Sequence, residues 1–199
     1  MKNFMNQLTK RSANIADASS IQTQIQTSTL KSGQVSYPRK FGVISQFVLS
    51  MIDVLVISDR YQYGRNYLWY HAVWKIMRNA FVDYPVPGIN YAKVLVTRGS
   101  LWNTQHAEAK TATNAITFTW ANDSGIGGAD QNDQCILVAY CEALNQCVFT
   151  KDGGSRFLGK AQLAVPGFSG EKVHTWLGFI SADGERVATS VYTGEVIVT

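Results

Sequence analysis

Three observations predict an α+β chain that is mainly β. His174-Thr175-Trp176-Leu177-Gly178-Phe179-Ile180 and Val187-Ala188-Thr189-Ser190-Val191-Tyr192 are rich in β-branched and aromatic residues, and the Asp183-Gly184 pair between them is a strong hairpin signal. Similar short runs recur upstream, separated by Gly- and Asp-rich turns. Before all of these lie two stretches whose apolar residues recur at helical spacing. A two-stranded ribbon is marginal in water, so the last strands must pack on the earlier ones. The expected architecture is a C-terminal antiparallel β-sandwich of immunoglobulin-like or fibronectin-like type, preceded by two helices and an extended N-terminal arm. The boundaries read as 1–37 for the polar arm, 38–84 for the helical pair and 85–199 for the sandwich.

In the arm, Ile21, Thr23, Ile25, Thr27 and Thr29 share one face of an extended chain, with Gln22, Gln24 and Gln26 on the other. Such a segment can add to an exposed sheet edge, its own or a neighbour's, which makes Ile21, Ile25, Leu30 and Tyr37 candidate assembly contacts. A frayed terminus is the alternative. Pro38 then opens a helix in which Phe41, Ile44, Val48, Met51, Ile52 and Leu55 recur at three- and four-residue steps. Val54, Val56 and Ile57 favour strand and leave its end open. A second helix is expected after Gly64, with Asn66 as N-cap and a stripe of Tyr70, Val73, Trp74, Met77 and Phe81. Tyr67 and Trp69 fall partly off that stripe, either packed under the sheet or left as a contact surface.

Asp83-Tyr84-Pro85-Val86-Pro87-Gly88 ends the helical part. Strands are expected at Tyr91 to Thr97, Ala115 to Trp120, Cys135 to Cys141, Cys147 to Thr150 and Lys160 to Val165, followed by the two strands of the C-terminal hairpin and a further one from Glu195 to Val198. Ile116, Phe118 and Trp120 alternate with Thr117 and Thr119, the mark of a strand with one buried face.

Charge is divided unevenly. Residues 1–100 hold twelve Lys and Arg against four Asp and Glu, and residues 101–199 hold six against ten. The basic half invites an anionic partner, and opposite halves can also steer head-to-tail contact between copies. The candidate nucleic-acid contacts are Lys10, Arg11, Arg39, Lys40, Arg60, Arg65, Lys75 and Arg78, with Tyr61, Tyr63, Tyr67 and Trp69 interleaved as stacking platforms. Their scatter, and the lack of a recognition module, leave ordinary solvated charge as the competing reading.

The first ten residues carry no export-signal pattern, and the apolar run Val43 to Ile57 is too short to span a bilayer. A cytoplasmic or virion protein with no membrane span is expected. Cys135, Cys141 and Cys147 are odd in number, with five residues in each interval, which is not a zinc spacing. Cys141 and Cys147 could meet across their turn, but small buried hydrophobes are the expected role.

Asn122 to Asp133 combines carboxylates with flexible glycines and could offer oxygens to calcium, yet it lacks EF-hand spacing, and the same residue types make any inter-strand turn. Gly125-Ile126-Gly127-Gly128 is followed by neither Lys and Ser/Thr nor a helical pattern, so no phosphate loop is expected. His71, His106 and His174 stand apart from any nucleophile motif. No enzyme, cofactor or metal site is expected.

Several ordered blocks do carry a likeness: Asn79-Ala80-Phe81, Ile89 to Leu101, Ile116 to Trp120, Ile136 to Tyr140, Val173 to Trp176, Phe179 to Gly184 and Tyr192 to Glu195. Across about 39–199 the chain resembles an uncharacterised family from Bacteroidota, while its first forty residues depart from that family's glycine-rich start. The resemblance implies a bacterial or bacteriophage source and a helical pair before a β-sandwich, with no assigned activity. Taken together, the expectation is a non-catalytic structural or interaction subunit, of phage or phage-derived origin, that assembles through its arm and sheet edges with copies of itself or a particle component. Nucleic-acid binding by the basic half is the alternative.

Overall fold

The computed structural model describes residues 37–58, 64–83 and 87–199. Of the arm, only Tyr37 falls within that range, so Ile21, Ile25, Leu30, Lys10 and Arg11 lie outside the described residues, as does Arg60.

Helix α1 (Tyr37–Ser58) takes Pro38 in its first turn, where the missing N–H has no intrahelical partner to lose. It buries Ile44, Phe47, Val48, Met51, Val54 and Ile57. The β-branched end stays helical because Val54 and Ile57 continue that buried face, and packing outweighs their propensity. At 22 residues, α1 exceeds the apolar run read from the sequence, and among the described residues it is the helix long and apolar enough to cross a membrane.

Helix α2 (Gly64–Asn79) begins two residues before Asn66, which therefore lies inside the first turn. Its buried face is also rotated from the expected stripe. Val73 and Ile76 point inward, supported by Trp69, Ala72 and Met77, whereas Tyr70 and Trp74 are 64% and 54% exposed. Beyond it, β1 (Phe81–Val82) pairs with β2 (Gly88–Ile89) in a short antiparallel hairpin.

The sandwich comprises β3 (Glu108–Ala112), β4 (Ala115–Thr119), β5 (Gln134–Cys141), β6 (Gln146–Thr150), β7 (Lys160–Ala164), β8 (Lys172–Ile180) and β9 (Val191–Ile197). One sheet has the order β3-β4-β7 and the other β6-β5-β8-β9, with every ladder antiparallel. The chain crosses between sheets after β4, β6 and β7, so the three-plus-four sandwich closes by Greek-key connections. The predicted fold class is the one observed.

Three strand assignments need correction. Tyr91 to Thr97 is no ladder strand: a 3₁₀ turn, Tyr91–Lys93, leads into an extended segment that hydrogen-bonds mostly through side chains, with Val96 and Thr97 N–H both donating to Ser190 Oγ at 2.9 and 3.2 Å. Residues 187–190 make only an isolated bridge to β8, at Val187, so β9 starts at Val191 and continues through Gly194 with a register shift opposite Thr175 and Trp176, merging the two expected strands. Gly99 permits the close approach, since a Cβ there would stand 2.0 Å from the Val187 carbonyl oxygen. The third correction is an addition: β3 lacks large apolar residues and was not anticipated, but it is an edge strand whose side chains are mainly exposed.

Two hydrophobic layers result. Ile116, Phe118 and Leu163 from one sheet meet Leu137, Leu177 and Phe179 from the other. On the opposite face of the four-stranded sheet, Ile136, Val138, Tyr140 and Trp176 join Ile44, Phe47, Val48 and Met51 of α1. Burial on both faces explains why β5 reads as a continuous apolar run while β4 alternates. The Trp176 indole N–H donates to the Val94 carbonyl at 3.0 Å and ties the extended segment to this layer. Register pairs Cys147 with Tyr140 and Cys141 with Gln146, which puts Cys141 and Cys147 on opposite faces of the sheet, so they do not face each other across the turn. All three cysteines are free thiols.

Candidate functional site

Two concave features of the described surface lie against α2. Buried Val73 and Ile76, with partly buried Trp69 and Ala72, define one side of that helix, and Tyr67, Tyr70 and Trp74 recur at three- and four-residue steps on another. With Tyr37, Phe41 and Met77 they line an aromatic groove of about 370 Å³. Phe41 meets Trp69 edge-on at 5.7 Å, Tyr67 stacks on His71 at 5.9 Å, and the Arg78 guanidinium lies 5.2 Å over the Trp74 ring. Of the two residues the sequence left undecided, Trp69 is partly buried and Tyr67 is 48% exposed.

A second pocket, about 410 Å³, lies between α2, the C-terminal end of α1 and the extended segment 93–98. Leu55, Leu68, Ala72, Ile76, Val94 and Val96 give it an apolar floor. His71, Lys75, Asn79, Lys93 and Arg98 supply its polar rim, and no Asp or Glu lines it among the described residues. Lys93 and Arg98 have no carboxylate partner among the described residues.

The described members of the nucleic-acid set, Arg39, Lys40, Arg65, Lys75 and Arg78, lie at separate places on the two helices. Arg39 is exposed in the first turn of α1, and Lys40 is bonded to Asp83 at 2.6 Å. Arg65 lies in the first turn of α2, Arg78 sits over Trp74, and Lys75 lines the cationic pocket. Lys93 falls in, and Arg98 immediately after, the stretch Tyr91 to Thr97 read as an ordinary sheet strand; their only sequence signal is membership of the basic half.

The carboxylates of the 122–133 loop are engaged with protein donors, Asp123 Oδ2 accepting from the Gln105 N–H at 3.3 Å. Asp130 Oδ1 accepts from the Asn132 backbone and side-chain N–H groups at 2.8 and 2.9 Å, and Asp133 Oδ2 accepts from Asp130 N–H at 2.9 Å. Buried Asp133 also meets buried Arg156 at 3.2 Å, and Arg156 donates to the Trp102 carbonyl at 2.8 Å with its guanidinium 3.7 Å from the Phe179 ring. Among the described residues, no group of three or more His, Cys, Asp or Glu is arranged to hold a metal.

His174 belongs to an aromatic cluster at one end of β8. Its ring stacks on Tyr91 at 3.9 Å, Nδ1 shares a hydrogen bond with the Tyr192 hydroxyl at 2.9 Å, and Nε2 is 3.9 Å from Glu195. Burial pulls its pKa below the ordinary value, with Glu195 and Glu142 opposing. Burial, reinforced by Glu142, pushes the Tyr140 hydroxyl up to about 12. These shifts hold neutral groups within packed rings, where they serve the helix–sheet layer.

A family model described as a family of unknown function, DUF6266, matches residues 12–194. The chain belongs to this family. The DUF6266 match starts at residue 12, so it takes in most of the arm and begins well before residue 39, where the resemblance read from the sequence began. No curated protein matches the chain. Among solved structures, the FN1–FN3 domains of chicken CNTN1 align over 50% of this DUF6266 chain and 33% of theirs, at 12% identity and a TM-score of 0.36. The chain thus spans about a third of that structure's length.

Proposed function

We propose that this protein is a non-catalytic interaction subunit that assembles with copies of itself, the arm of one copy seating in the aromatic groove of the next. The observation that carries the reading is the groove's position: residues 1–36, outside the described part, lead directly into Tyr37, which lines it. Tyr67, Tyr70 and Trp74 form a rigid aromatic surface of the kind that anchors interfaces. The arm supplies Ile21, Ile25 and Leu30 as apolar contacts to fill it. Among the described residues, end strands β6 and β7 each have a single ladder partner and give additional edges for strand addition. The same logic suits a component of a larger particle, phage-derived, working in the cytoplasm or in a virion.

Light scattering coupled to size exclusion tests this. The full chain is expected to be oligomeric, and both a chain lacking residues 1–36 and a Trp74→Ala variant are expected to shift to monomer. A monomeric full chain, or an oligomer indifferent to both changes, rejects the reading.

A further inference from the structure

We infer that the cationic pocket between α2 and segment 93–98 binds a small amphiphilic anion, an acyl or aryl body carrying one phosphate or carboxylate. Its volume of about 410 Å³ falls in the range of small-molecule sites. Leu68, Ile76, Val94 and Val96 give the ligand body an apolar floor, and Lys93 and Arg98, neither with a carboxylate partner among the described residues, line the same pocket. Two such cations beside an apolar floor raise a positive potential that an anion relieves.

The second point is rigidity. Segment 93–98 is fixed to the sandwich: Val94 accepts the Trp176 indole N–H, Val96 and Thr97 N–H donate to Ser190, and Thr97 Oγ1 donates to the Ala188 carbonyl at 2.9 Å. Lys93 and Arg98 therefore project from anchored backbone beside the pocket's apolar lining. A lining set on preorganised backbone is a recognition site's construction, and less ordering entropy remains to oppose binding. A nucleic-acid strand would call instead for a basic track continuing along the surface, whereas Lys40 is paired with Asp83 and Arg78 lies over Trp74 in the neighbouring groove.

Calorimetric titration of the full chain with octyl phosphate, inorganic phosphate, 1-octanol and a short single-stranded oligonucleotide tests the inference. Octyl phosphate is expected to bind with one-to-one stoichiometry, and phosphate or octanol alone at least about tenfold more weakly, since each makes half the contacts. The exposed double change Lys93→Glu/Arg98→Glu is expected to weaken octyl phosphate about tenfold or more while leaving the circular dichroism spectrum and Tm unchanged. Trp74→Ala, in the other groove, is expected to leave that affinity as it was. Absence of octyl phosphate binding at about 1 mM overturns the proposal. So does binding indifferent to charge reversal, binding lost in Trp74→Ala, or tighter binding of the oligonucleotide through Lys93 and Arg98. Loss of self-assembly in Trp74→Ala bears on the aromatic groove alone, so the two readings fail separately.

Discussion

Arg156 and Asp133 are both buried, and each depends on the other for charge compensation. Removing one partner strands a charge in a low-dielectric interior, so Arg156→Met is expected to lower unfolding free energy by about 3–5 kcal/mol, measured by urea denaturation. Pairing it with Asp133→Leu should recover most of the loss, because both desolvation costs vanish together. The sequence showed Asp133 as a loop carboxylate with metal or turn as its options; its real partner lies 23 positions later and left no local trace. His174 gives a second residue-scale expectation. Its folded pKa is depressed, so its contribution to stability is complete above its ordinary value of 6.5 and is lost as pH falls through the folded value. The groups around it are Tyr91, Tyr192, Glu195, Glu142 and Lys172. Between pH 7 and 5, above the usual carboxylate range, the urea midpoint of the wild type should therefore fall more than that of His174→Gln, and equal slopes would count against this account.

At the scale of elements, helix and strand identities were legible where one physical term dominated. The alternation of β4 and the apolar run of β5 were plain, as were the three- and four-residue steps of α1. Where two terms compete, the reading slipped. The aromatic residues of α2 combine large apolar rings with a polar group and suit a buried or an exposed face, so the expected stripe mixed Tyr70 and Trp74 with Val73, and the groove stayed hidden. Segment 91–97 has strand-forming residues, but the Val96 and Thr97 N–H groups are satisfied by Ser190, a choice that only tertiary structure reveals. Met51 is fully buried in the helix–sheet layer, so Met51→Ala should cost about 2–5 kcal/mol if α1 is part of the core. A smaller effect, below about 1 kcal/mol in a denaturant titration, would mean that α1 packs loosely. The thiols offer a parallel check. Burial pushes Cys135 and Cys147 up to about 12, so a thiol reagent at neutral pH should react slowly with the native chain and fully once it is unfolded, with no disulfide on a non-reducing gel.

Across the described residues, the arrangement is helices on a four-stranded sheet on a three-stranded sheet, with the middle sheet enclosed from both sides. Neither the helical pair nor the sandwich can expose the shared sheet without losing an entire apolar face, which predicts a single cooperative transition. Which segments enclose the middle sheet, and where the basic rim gathers, depend on contacts between residues far apart in the chain; composition announced only that the first half was positive. Trp176 lies in the upper layer and Trp120 in the lower, its ring edge-on to Phe179 at 5.7 Å. Two native chromophores thus report on separate strata of one fold, and emission from single-tryptophan versions would reveal whether lifting off the helical roof precedes the parting of the floors beneath it.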